Sequence, residues 1–184
     1  MLQDLLKDAE NRMKKVVSKY KEELTGLRTG RATTAMVENI KVDYYGTEMP
    51  LKQLATISTP EPNQILIQTW DSNAVKAIEK AIQEANLGAN PQIEGNIIRI
   101  ILPPMTEERR REIVKQINKF AEEYRIAIRN IRRDIKDEIE ALKSEGFSED
   151  DIKRALDNLQ KTTDKYIKEI NNLTEAKEKE VLSI

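Results

Sequence analysis

The sequence predicts an α+β protein: a three-helix bundle with a small inserted β/α/β domain. Three observations predict it. Both ends of the chain repeat apolar residues at three- and four-residue steps. The middle of the chain alternates instead, and it holds all six prolines, from Pro50 to Pro104. Charged residues make up 34% of the chain, hydrophobic 39% and aromatic only 4%, a balance that suits narrow buried stripes better than one thick core. The bundle is expected from residues 1–30 and 105–184, and the insert from residues 31–104.

The first helix is expected from Leu2 to Arg28. Leu2, Leu6, Ala9, Met13, Val16, Tyr20, Leu24 and Leu27 keep the rhythm of a packed seam. The second is expected from Glu107 to Glu145, with Ile113, Ile117, Phe120, Tyr124, Ile128, Ile131, Ile135, Ile139 and Leu142 on its stripe and Gly146 as its stop. The third opens at Ser148, a good N-cap followed by Glu149, Asp150 and Asp151. Its stripe is Ile152, Leu156, Leu159, Tyr166, Ile170 and Leu173. Such helices gain most of their stability by packing. A dimeric coiled coil would also bury them, but the short Gly146-Phe147 link favours an antiparallel pair within one chain.

Within the insert, Ile40, Val42 and Tyr44 alternate with Lys41, Asp43 and Tyr45, a strand ended by Gly46. Gln64 to Gln68 and Ile97 to Leu102 are further apolar strands, the latter preceded by a Glu94-Gly95-Asn96 turn. Asp71-Ser72-Asn73 opens a short helix through Val75, Ile78, Ala81 and Ile82, closed by Gly88. The insert joins the bundle through Thr29 and Gly30 on one side and Pro103, Pro104, Met105 and Thr106 on the other. Two short links suit a hinge, and equally a fixed elbow, since proline restricts local motion.

Several function classes drop out. Cys and His are both absent, which removes disulfides, thiol chemistry, the usual proton shuttle and the common zinc ligands. Gly26-Leu27-Arg28-Thr29-Gly30 lacks the Lys-Ser/Thr that a phosphate-cradling loop needs. Glu149-Asp150-Asp151 is a helix start and not a metal site. No cofactor, metal or catalytic residue is expected. The first residues carry acids and no continuous apolar run, so no leader is expected. No stretch approaches the roughly 20 apolar residues of a membrane span. A cytoplasmic monomer without membrane contact is the expectation.

The formal net charge is only −1, but its distribution is uneven. From Arg109 to Lys136 there are ten Lys/Arg against four Asp/Glu, and the remainder of the chain is net acidic. On a helix, Arg111, Lys115, Arg125, Arg129, Arg132, Arg133 and Lys136 share a wedge of about 100° with few acids among them. Like charges four residues apart repel. Arg125/Arg129 and Arg129/Arg133 therefore suggest a compensating anion, and the guanidinium fork suits phosphate. Acids of the third helix could instead neutralise this face. Aromatics do not interleave with the arginines, which speaks against base stacking and for recognition of folded RNA by shape and phosphate. Arg28 and Arg31 flank the first link, and Arg109 and Arg110 follow the second, so the four are expected to gather where the domains join. The competing readings are a helical scaffold or chaperone-like protein-interaction module, and a carboxylate enzyme for which no paired-acid spacing exists.

Ordered motifs carry a resemblance. Leu27-Arg28-Thr29-Gly30-Arg31-Ala32, Val42-Asp43-Tyr44-Tyr45-Gly46, Leu54-Ala55-Thr56-Ile57, Leu87-Gly88-Ala89-Asn90-Pro91 and Pro104-Met105-Thr106-Glu107-Glu108-Arg109-Arg110 occur in sequence. Ala127-Ile128-Arg129-Asn130-Ile131-Arg132-Arg133-Asp134 and Ser148-Glu149-Asp150-Asp151 follow. Together they resemble the ribosome recycling factors along essentially the whole chain. Thr69 before Trp70-Asp71, where that family often has Pro, and Glu84-Ala85-Asn86 depart from its pattern. The resemblance implies an L-shaped, non-catalytic translation factor. It would bind the large ribosomal subunit and its rRNA through Arg28, Arg31, Arg110, Arg129, Arg132 and Arg133. With elongation factor G, which carries the GTP, it would split the post-termination ribosome. Thr29, Gly30, Pro103, Pro104, Met105 and Thr106 would be the hinge.

Overall fold

The computed structural model describes residues 1–27 and 29–182; Arg28, Ser183 and Ile184 lie outside the described residues. The described residues form two compact units, one of residues 1–27 and 108–182 and one of residues 29–107. The fold class is α+β, a helical bundle and a small sheet domain.

In the bundle, α1 spans Leu2–Thr25. The sequence suggested that it would run on to Arg28. It stops earlier because Gly26, a poor helix former, takes the C-cap position, while the Thr25 hydroxyl bonds back to the Lys21 carbonyl at 2.9 Å. α1 buries Ala9, Met13, Val17, Tyr20 and Leu24. Val17, and not the expected Val16, joins the seam, because a four-residue step from Met13 stays nearer the centre of the buried face. Two longer helices, α3 (Glu107–Ala141) and α4 (Glu149–Leu182), complete the unit. Between them a 3-10 turn (Leu142–Glu145) ends at Gly146, whose φ of 94° is open to glycine at little cost. Ser148 caps α4 by accepting the Asp151 N–H at 3.1 Å, as its position after the turn predicts.

The expected apolar stripes of α3 and α4 are largely buried, with exceptions that have one cause. Phe120, Tyr124, Leu156 and Leu173 are only half-buried, while small or polar residues, Ala121, Ala155, Thr163 and Thr174, are buried beside the isoleucines. Small side chains let the helices approach, and bulky neighbours then close the rim. Two polar layers tie α4 to α1. The Tyr20 hydroxyl lies 2.5 Å from the Thr174 hydroxyl, and the Tyr166 hydroxyl donates to Glu10 at 3.0 Å. Tyr20 also meets the Tyr124 ring of α3 at a centroid distance of 5.0 Å, so one side chain contacts both other helices.

The second unit holds a hairpin of β1 (Lys41–Tyr44) and β2 (Thr47–Pro50) and a four-stranded antiparallel sheet. The sheet strands are β3 (Ala55–Glu61), β4 (Gln64–Thr69), β5 (Pro91–Glu94) and β6 (Ile97–Ile101), in the order β3-β4-β6-β5. α2 (Val75–Ala85) packs Ile78 and Ile82 into a core with Val42, Leu51, Ile65, Ile67, Ile98 and Ile100. β2, β3 and β5 were not expected from the sequence. β2 and β5 are four-residue strands, β3 and β5 form the sheet edges, and most of their residues are exposed, so hydrophobic alternation barely marks them. α2 ends at Asn86 in the left-handed conformation (φ 50°), two residues before the expected Gly88. Both links lie in this unit and touch. Gly30, at φ 86°, has its α-carbon directly under the Met105 side chain, and a β-carbon there would collide with it.

Candidate nucleic-acid interface

The site is built on α3, a single rigid element. Its buried isoleucines, Ile113, Ile117, Ile128, Ile131, Ile135 and Ile139, face the bundle core and fix its rotation. That rotation leaves Arg111, Lys115, Arg129, Arg133 and Lys136 exposed, with Arg125 and Arg132 half-buried at the rim of the face. The expected wedge is thus a real surface.

The rim arginines meet α4 through neutral groups. Arg125 donates from Nε to the Asn171 side-chain oxygen at 2.8 Å, and Arg132 donates to Gln160 Oε1 at 3.5 Å. For these two residues the possibility that acids of the third helix neutralise the face is not realised. These amides orient the guanidinium groups without themselves bringing a negative charge to them.

An acid that does reach the face belongs to α3 itself. Glu122 sits within the wedge, one oxygen 3.2 Å from Arg125 Nη1 and the other 3.2 Å from Arg129 Nη1. Hydrogen bonds from Arg125 first, then from Arg129, hold its carboxyl below the usual carboxylate range. Sequence reading passed over Glu122, although its spacing of three and seven residues from the two arginines was the available signal. It weighed an external anion against acids of the third helix, whereas Glu122 of α3 itself offsets part of the Arg125/Arg129 repulsion. Asp134 is drawn the other way, 3.7 Å from Arg12 of α1 and 4.0 Å from Arg133. Lys136 stands 4.0 Å from Glu140.

The remaining sequence candidates belong to both units. Arg110 is half-buried, and its Nε is shielded from water with no hydrogen-bond partner among the described residues, an arrangement that an anion would satisfy. Arg31 is exposed in the second unit, and Arg28 lies outside the described residues. Thr29 is buried, at 4% exposure, and Gly30 packs beneath Met105, while Pro103, Pro104 and Thr106 are exposed. Among the described residues no cluster of acids is placed to hold a metal ion, and no helix is long and apolar enough to cross a membrane.

The model of the family described as "Ribosome recycling factor" matches residues 20–182. The chain belongs to the ribosome recycling factor family. The ribosome-recycling factor of Aquifex aeolicus is 61% identical, covering 100% of this chain and 98% of that protein. That of Hydrogenobaculum sp. is 58% identical over the full length of both. A solution structure of a ribosome recycling factor superposes with a TM-score of 0.76 at 60% identity, covering 100% of this chain and 98% of the other. A second structure, 44% identical with a TM-score of 0.64, covers 99% of both chains. It is titled as models for the T. thermophilus ribosome recycling factor and the E. coli elongation factor G bound to the E. coli post-termination complex. The family consists of translation factors without catalysis of their own, in keeping with a site made of cations and amides.

Proposed function

We propose that the chain binds the post-termination ribosome and, together with elongation factor G and GTP, splits it into subunits. The observation that carries the RNA-binding part is the α3 face: arginines spaced along one side of a 35-residue helix, two of which, Arg125 and Arg132, meet α4 through neutral amides. A rigid row of guanidinium groups suits the fixed phosphate spacing of folded rRNA. In this reading Arg129, Arg132 and Arg133 contact the backbone of large-subunit rRNA, and Arg28, Arg31 and Arg110 extend the contact. The bundle of residues 1–30 and 105–184 is the ribosome-binding part, and residues 31–104 act as the second part. Thr29, Gly30, Pro103, Pro104, Met105 and Thr106 form the hinge between them. GTP hydrolysis belongs to elongation factor G, and the chain works as a cytoplasmic monomer.

Co-sedimentation with large ribosomal subunits across a salt series tests this. Binding should weaken as salt rises, because phosphate contacts release counterions. Arg132→Ala should weaken it by about tenfold, the loss of one charge-assisted contact of about 1.5 kcal/mol. Circular dichroism first establishes that the variant is folded. A folded wild-type protein that does not sediment with the subunits sinks the proposal.

A further inference from the structure

Glu122 engages two arginines of the proposed RNA face at once, and both its oxygens are used. Its two partners are not equivalent. Arg125 is also bonded to Asn171, and its side chain is only 22% exposed, so it is a fixed brace. Arg129 is 50% exposed, and Glu122 is the acid that holds it. The brace therefore sets the carboxylate, and the carboxylate holds the more exposed cation. A carboxylate accepting from a guanidinium presents the same chemistry as a phosphate oxygen. Neighbouring positions differ: among the described residues Arg132 makes a long bond to an amide, and Arg133, 4.0 Å from Asp134, shares that acid with Arg12.

From this geometry we infer that Glu122 is an internal competitor for phosphate, occupying Arg129 until an RNA backbone displaces it. The inference rests on the reading of α3 as an RNA-binding face and names the residue that sets how selective the face is. Exposed ion pairs of this kind are weak and easily exchanged, so a backbone with phosphates held at matching positions takes Arg129 over. A flexible polyanion, which must be ordered to do so, gains less. Glu122 thereby lowers binding to generic RNA more than binding to a preformed site. Helix stabilisation alone does not account for the arrangement, because Arg125 is already anchored by Asn171.

The test compares wild type, Glu122→Gln and Asp137→Asn. Asp137 is an exposed acid of the same helix with no ion pair among the described residues, so its change controls for bulk charge. Binding to single-stranded poly(U) RNA is measured across a salt series, with melting temperature recorded for each protein. Glu122→Gln should bind poly(U) several-fold more tightly. Its slope of log K against log salt should steepen by about 0.7, the value of one added phosphate contact on a single strand. Asp137→Asn should stay within about twofold with an unchanged slope, since it adds no phosphate contact. Equal effects from the two variants would reduce Glu122 to ordinary surface charge and overturn the inference. Weaker poly(U) binding by folded Glu122→Gln would also overturn it, by showing that Glu122 positions Arg129 for RNA. A parallel measurement on large ribosomal subunits separates the two claims. If wild type fails to bind subunits, the proposed function falls, while the poly(U) comparison still decides the role of Glu122.

Discussion

The buried hydroxyl pair Tyr20–Thr174 shows how unequal the two ends of one hydrogen bond can be. The Thr174 hydroxyl also donates to the Ile170 carbonyl at 2.7 Å, so it keeps a partner when Tyr20 is changed. Among the described residues the Tyr20 hydroxyl has Thr174 alone as its partner. Tyr20→Phe should therefore cost about 1 kcal/mol, whereas Thr174→Val, which strands a buried phenol, should cost about 1–3 kcal/mol; urea unfolding of both checks the order. Tyr166 offers a pH readout. Burial, then its bond to Glu10, pushes its phenol from 10.0 up to about 12. A group whose folded pKa is raised lends stability that is complete below pH 10 and lost as pH rises through 12. Melting temperature should fall across that window, and the fall should be shallower in Tyr166→Phe.

Capping and close packing decide the behaviour of whole elements. α4 begins where Ser148 accepts the Asp151 N–H, after a link in which Gly146 has already turned the chain. Ser148→Ala should destabilise the bundle by about 1 kcal/mol, measured by thermal or urea unfolding. The paired links carry a sharper constraint. Gly30 needs its positive φ and also the absence of a β-carbon beneath Met105. Gly30→Ala should cost about 1–3 kcal/mol, combining backbone strain with a steric clash. Met105→Ala in the same chain should recover the steric part and leave the backbone part. A double-mutant cycle with no coupling would mean that the links do not brace each other.

Across the molecule, charge is divided between the two units. Between Thr29 and Glu107 there are six Lys/Arg against nine Asp/Glu, while the α3 segment is strongly basic. A scaffold as anionic as rRNA should therefore be drawn more strongly to the α3 face than to the second unit as a whole. Each cation of α3 that meets phosphate should contribute about 0.7–0.9 to the salt slope. The double variant Arg132→Ala/Arg133→Ala should accordingly flatten the slope for large-subunit binding by about 1.5, with little change in melting temperature. A slope unchanged in that variant would place the RNA contacts elsewhere on the chain.

By itself the sequence determined the three long helices, their caps at Ser148 and Gly146, the apolar strands β4 and β6, and the side of α3 that carries the cations. These are local matters: helical and strand periodicity, capping chemistry and the angle between residues on one helix are all set within a few turns of chain. Only the tertiary structure decided which residues fill the centre of the bundle, where Ala121, Thr163 and Thr174 displace bulkier neighbours because helix separation depends on all three partners at once. It also decided the edge strands β3 and β5, which are recognisable only by their pairing with β4 and β6. For the site, the arginine stripe was legible, but its electrostatic state was not. Asn171 and Gln160 lie 46 and 28 residues from the arginines they orient, and no local pattern brings them together. The same contact to Asn171 fixes Arg125 and so gives Glu122 its hold on Arg129, a consequence of packing that spacing along α3 could only hint at.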